Sequence, residues 1–243
     1  MAEDEIIQKH TKAAYKAWLE PDKKWIHKLK DILAEVLIIV FAVSISIWLH
    51  GWAESRKDHK EEKEFYRGLQ EDLKADVQEM VSDRDFLKNT LQQAVYLMRA
   101  GNGQIANMDS LMIYSSVFFT QVQINPRISR FEALKGSGKL DIIEDKRELI
   151  NITELYQKVF PNIFRNNETF NNLTMGKMAP SLGDVAKVDS SGRLVNIQEV
   201  LRLSKFQLQL IQLKGSTINC ITAYTTGIEK ANEIVREIAE ELR

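Results

Sequence analysis

Between Asp31 and Ala53 the chain carries ILAEVLIIVFAVSISIWLHGW, a run with one Asp, Glu, Lys or Arg residue, Glu35. As a helix rising about 1.5 Å per residue, the 21 residues Ile32–Trp52 make a rod about 30 Å long, the thickness of a bilayer's hydrocarbon core. Twelve of them are Ile, Leu, Val or Phe. Each contributes about 0.3–0.6 kcal/mol to insertion, against a cost of about 2.5–3.5 kcal/mol for a carboxylate at mid-membrane. Glu35 stands near one end, where its cost is smaller, so insertion wins. A signal peptide is the competing reading, but the run is too long, starts too late and lacks a small-residue cleavage site. A transmembrane helix over 31–52 is therefore expected.

The flanks agree with this. Trp25 precedes the run and Trp48 and Trp52 close it, as in the aromatic belts at membrane–water interfaces. Basic residues lie on both sides: Lys23, Lys24, Lys28 and Lys30 before, with Arg56, Lys57, Lys60 and Lys63 after. This near balance leaves orientation to length. A short tail with seven lysines resists transfer, whereas a long following segment crosses largely regardless of charge. The N-terminus is expected in the cytoplasm and residues 53–243 in the periplasm of a bacterial inner membrane, with the lipid bilayer as first partner.

Elsewhere the chain favours helices. Its 243 residues include 4 Pro and 11 Gly, too few for a turn-rich β-sandwich. With 44% apolar and 28% charged residues it is neither disordered nor collagen-like. A net charge of −1 supplies no field to recruit nucleic acid. One cysteine, Cys220, excludes an internal disulfide and a multi-cysteine metal site.

Residues 4–19 have an amphipathic pattern ending before Pro21, in a cytoplasmic tail 1–30. It fits a helix on the inner leaflet with Trp18 at the interface, or a tail that is helical only against neighbours. Over 53–100 a stalk helix is expected, with Leu69, Leu73, Val77, Met80, Leu87, Leu91, Ala94 and Met98 recurring at steps of three and four. Its charge-rich stretch, Glu54–Lys74, is spaced for surface ion pairs, and Gly51 and Gly68 are places where it can bend. Residues 101–194 make a compact helical middle. There, Asp109 is expected to cap a helix through Phe119, Asp145–Phe160 to form another, and 176–193 to form a loop. In 195–243, the C-terminal helix, a near-heptad seam runs through Ile221, Thr225, Ile228, Ala231, Val235, Ile238 and Leu242. It is expected to pack back along the stalk. The fold class expected is all-α: a single transmembrane helix continuing into a stalk, with an extracytoplasmic antiparallel helical bundle.

Two stretches, DILAEVLIIVFAVSISIWLHGWAESRKDHKEEKEFYRGLQEDL and FEALKGSGKLDIIEDKRELINITELY, carry a resemblance. The chain resembles an uncharacterised family of single-span membrane proteins common in Bacteroidetes. The matching positions are Glu35, Trp52 and Glu54, Phe65 or Tyr66 with Leu69, and Ala133-Leu134-Lys135-Gly136-Ser137-Gly138. Gly136 stands where members often have Ser. The resemblance implies a membrane-anchored helical domain and no particular activity.

Glu35 is the most informative residue, because a carboxylate within a span is a functional candidate. Glu35, Ala42, Ser46 and His50 fall within about 80° on a helix of 3.6 residues per turn. Ala42 and Ser46 are spaced as a small-x-x-x-small pair, which lets helices approach. Three readings stay open for Glu35: a helix–helix contact, snorkelling to water, and an ion or proton path. His10, His27, His50 and His59 form no chelating pair, and Cys220, among isoleucines, is expected to be buried and inert. GKMAP and GSGK match no phosphate loop. Asp141, Glu144, Asp145 and Glu148 match no EF-hand spacing. No catalytic constellation, cofactor or metal is expected. The expected function is that of a non-enzymatic, homo-oligomeric scaffold or sensor of the bacterial envelope. The alternatives are an oligomeric ion channel with Glu35 at the pore, or an accessory subunit for an envelope protein partner.

Overall fold

The computed structural model describes residues 23–190 and 194–243, with side chains from Lys30 onward except that of Asp31. The tail helix expected over 4–19, with His10, Trp18 and Pro21, lies outside the described residues. Two compact units divide the chain, Met1–His59 and Lys60–Arg243, and each is described by itself. Helix α1, Lys23–Gly101, contributes to both. No proline interrupts it. It stops where Gly103 takes φ 87°, a left-handed conformation that favours glycine. The freed carbonyls of Met98, Arg99 and Ala100 accept the N–H groups of Asn102, Gln104 and Gly103 at 3.1 Å.

In the first unit every large apolar side chain from Ile32 to Trp52 is exposed. A soluble core helix buries its apolar residues, so an apolar helix this long and bare is consistent with a membrane-anchoring segment. The chain is thus all-α among its described residues, with a long apolar helix near the N-terminus and a helical bundle further along.

The second unit is the bundle. After α1 come α2 (Met108–Tyr114), a 3₁₀ turn (Ser115–Phe119), α3 (Ser129–Gly136), a 3₁₀ turn (Leu140–Ile142), α4 (Lys146–Glu154), α5 (Phe160–Leu173), α6 (Ala179–Val185), α7 (Ile197–Arg202) and α8 (Ser204–Glu241). From α1, Tyr66, Leu69, Leu73, Met80, Leu87, Ala94 and Leu97 are fully buried, while the expected Val77 and Met98 lie at the flank of this stripe. α8 runs antiparallel to it. Gln70 Nε2 donates to the Val235 carbonyl at 3.3 Å and Tyr224 Oη to Asp83 at 3.2 Å, and Gly101 lies against Gln207. Gly227 allows a close three-helix approach: a Cβ there would stand 2.9 Å from both Ile163 Cδ1 and Met80 Sδ. α1, α5 and α8 meet at this point.

Three expectations are corrected here. The helix from Met108 is capped by Asn107, not Asp109, because Asn107 Oδ1 accepts the Ser110 N–H at 3.1 Å. Residues 176–185 are helical rather than loop. A helical path continues from Lys146 to Val185 through π turns at Leu155–Val159 and Thr174–Met178. Each π turn comes just before a proline, Pro161 or Pro180, and holds the residue four before it, Gln157 or Gly176. Proline lacks an N–H and its ring collides with the carbonyl four residues earlier. A widened turn relieves that collision without ending the helix. Finally, the buried face of α8 runs through Leu213, Thr217, Cys220, Tyr224, Gly227, Ala231, Ile234 and Ile238. Ile221 and Val235 from the expected seam sit at its edge.

Cys220 is buried as expected, and burial pushes its thiol up to about 12. Folded protein should therefore resist a thiol reagent near neutral pH, where almost no thiolate exists. Full labelling should follow denaturation. Rapid labelling of the native protein would contradict this burial.

The charged stretch of α1 also behaves differently from its sequence pattern. Lys60–Glu64 is a surface i,i+4 pair at 3.8 Å. The stronger partners come from a distant segment: Lys139 on Glu61 at 2.7 Å, Arg130 on Asp72 at 2.9 Å and Arg127 on Asp76 at 2.7 Å. Asp76 is 0% exposed and also accepts the Arg127 N–H at 3.2 Å. Burial holds its carboxyl above the ordinary value even though Arg127 opposes this. Gly68 is the crossing point of Arg130, whose guanidinium fills the space a Cβ would take.

Candidate functional site

The span supplies the first candidate. Glu35, Ala42, Ser46 and His50 are all exposed on one helix, and 100° per residue keeps them on one face. Ala42 and Ser46 stand one turn apart as small residues, where a neighbouring helix can come close. Towards the end of the run, Trp48 and Trp52 are exposed, and the Arg56 guanidinium lies 4.7 Å from the Trp52 ring centre. A cation on an amphipathic ring suits a membrane interface. Trp25 and His27 fall within α1, but their side chains lie outside the described residues.

Among the cavities of the bundle are two open ones. One, of about 480 Å³, is lined by Met112, Phe119, Leu182, Val188 and Leu194 over a floor of Ala179, Gly183 and Ala186. Its hydroxyl, Ser115 Oγ, donates to the Met112 carbonyl at 2.6 Å. The other, of about 540 Å³, lies between α5 and α8 and is lined by Thr169, Asn172, Lys177, Gln212, Ser216 and Asn219. Among the described residues neither lining includes a carboxylate, an imidazole or a thiol. The first can shelter an apolar group and the second can hydrogen-bond, but neither lining pairs an acid with a base.

The polar side chains inside the bundle act instead as cross-ties. Asn167 Nδ2 donates to Tyr224 Oη at 2.9 Å, and that hydroxyl donates to Asp83 at 3.2 Å, joining α5, α8 and α1. Burial raises the Asp83 carboxyl, and the Tyr224 hydroxyl partly offsets this. Asn171 clamps the main chain at Val122, accepting its N–H and donating to its carbonyl, both at 2.9 Å. Thr174 donates to the Thr120 carbonyl at 2.7 Å. Asn151 donates to Glu237 at 2.9 and 3.0 Å and accepts from Lys230 at 2.7 Å. Sequence reasoning missed this set. The available signal was the asparagine pairs at 166–167 and 171–172, unusual in a helix interior unless they have partners.

The acids of 139–148 separate. Asp145 caps α4, accepting the N–H groups of Arg147 at 2.7 Å and Glu148 at 3.4 Å. The Glu144 main chain donates to Glu62 at 2.9 Å, and Glu148 turns inward and is buried. Comparison with known proteins finds no matching family model, no matching curated protein and no matching solved structure.

Proposed function

We propose that this protein is a non-enzymatic, membrane-anchored homo-oligomer of the bacterial envelope, acting as a scaffold or sensor. Its N-terminus lies in the cytoplasm and residues 53–243 in the periplasm. The observation that carries this reading is the bare face of the span, where Glu35, Ala42, Ser46 and His50 are exposed together. Lipid tails satisfy the leucines and isoleucines of the other faces, but they offer no partner to a carboxylate and pack poorly into a strip of small residues. A second copy of the same helix does both.

The test is the native mass of the full chain in mild detergent. The wild type is expected as a dimer or trimer. Ala42→Leu combined with Ser46→Leu should give monomers that still insert, because bulk on the strip keeps helices apart. A monomeric wild type supports an accessory subunit for another envelope protein and removes the homo-oligomer. An unchanged mass in the double variant shows that the face is wrong.

A second reading rests on Glu35 sharing that face: a cation channel in which a ring of carboxylates lines the pore. It requires a closed ring of several copies and a cation current that Glu35→Gln cuts. In the scaffold, Glu35→Gln keeps a hydrogen bond and the mass, whereas Glu35→Leu weakens assembly. Assembled wild type without current in planar bilayers removes the channel.

A further inference from the structure

Glu148 has an unusual setting within the bundle. It lies in the first turn of α4 and is 6% exposed, facing Tyr66 of α1, which is 0% exposed. Glu148 Oε2 and Tyr66 Oη are both buried without a hydrogen bond. The charged groups that act on the pair most strongly are all acidic: Glu62 from α1, Asp145 at the cap of α4, and Glu237 and Glu241 from the last turns of α8. The Tyr66 hydroxyl faces Glu148 and opposes the rise of its carboxyl. Lys230 is turned instead to Asn151 at 2.7 Å, Glu233 at 3.2 Å and Glu154 at 3.5 Å.

We propose that Glu148 is a proton-operated latch: neutral, it lets the last turns of α8 close onto α1 and α4, and ionised, it releases them. A buried carboxylate needs water, a cation or several donors. Among these acids the least costly route to water is to lift the α8 segment that carries Glu237 and Glu241. That movement separates three like charges at once. The ties that oppose it are Gln70 to the Val235 carbonyl at 3.3 Å and Asn151 to Glu237 at 2.9 Å. Release is therefore expected beyond Val235, while the three-helix contact at Gly227 stays closed.

The sign follows from linkage. Burial first, then Asp145, Glu241 and Glu237, hold the Glu148 carboxyl above its ordinary 4.5, with Tyr66 opposing them. Folding then favours the protonated form. The stability contributed is complete below the ordinary value and is lost as pH rises through the raised one. The latch is shut in acid and opens towards neutral and alkaline pH. Asp76 and Asp83 are also raised by burial, so place as well as pH distinguishes Glu148.

The test is amide hydrogen exchange of the full chain in detergent, corrected for intrinsic rates. Between about pH 5 and about pH 8, protection of residues 236–243 and 146–151 should fall by about tenfold or more, while residues 217–231 change little. Glu148→Gln should keep the acid-state protection at both pH values. Glu241→Gln, an exposed substitution that spares the core, should move the wild-type transition to lower pH, because a like charge is removed. Equal protection of the wild type at both pH values overturns the latch. So does a Glu148→Gln protein that loses protection as the wild type does, or a transition that Glu241→Gln leaves in place.

Discussion

Phe206→Ala should lower the unfolding free energy by about 3–5 kcal/mol, the range for removing a fully buried aromatic ring. Phe206 sits in the first turn of α8 and is 0% exposed. Its ring meets Phe118 edge to face, with centroids 5.9 Å apart at 87°. Phe118 belongs to the 3₁₀ turn after α2, so one ring holds the start of α8 to the middle of the chain. The substitution removes the packing and the favourable quadrupole contact together. A domain with about 5–15 kcal/mol in total loses a large share. Denaturant unfolding in detergent, followed by helical circular dichroism, reads the difference. A loss below about 1 kcal/mol would mean that the site collapses around the void and that Phe206 is not a keystone.

Tyr224 should separate packing from hydrogen bonding at the centre of the bundle. Tyr224→Ala removes a fully buried ring and should cost about 3–5 kcal/mol. Tyr224→Phe keeps the ring but strips Asn167 of its acceptor at 2.9 Å and Asp83 of its donor at 3.2 Å. Leaving buried polar groups without partners costs about 1–3 kcal/mol. The phenylalanine variant should thus fall between wild type and alanine. A silent Tyr224→Phe would show that water replaces the hydroxyl and that the network joining three helices contributes nothing net. An Asp83→Asn variant gives a further check, since an amide at that place still accepts the tyrosine proton.

The span illustrates what was legible. Ile32–Trp52 announces itself because length and apolarity act residue by residue, and lipid, not another part of the chain, is the partner. The stripe on α1 was legible for the same reason: a period of three and four places Leu69, Leu73, Met80, Leu87 and Ala94 on one side whatever packs there. Cys220 was correctly expected to be buried from its isoleucine neighbours.

Other expectations failed where the deciding partner was distant in sequence. The charges of Glu54–Lys74 look like a solvated face, yet Glu61 and Asp72 are held by Lys139 and Arg130, 78 and 58 residues away. Residues 176–193 look like a loop, and Pro161 and Pro180 lie in the path of one helix. Packing along α5 and α8 keeps the helix together, and a π turn before each ring is the local compromise. The seam of α8 was displaced because Gly227, without a side chain, is invisible to a search for apolar periodicity but marks the point where three helices meet. Glu148 looked like one of four surface acids until α1 and α8 closed over it.

The sequence by itself therefore determined the helical class, the apolar span and the rough spacing of the buried faces. These follow from backbone period and from transfer out of water, which act on each residue separately. The tertiary structure alone decided which polar residues are cross-ties, where two prolines are absorbed and which carboxylate is taken out of water. Those outcomes depend on which groups meet when distant helices pack, and the energy of burying a polar group is set by its partner rather than by its own identity.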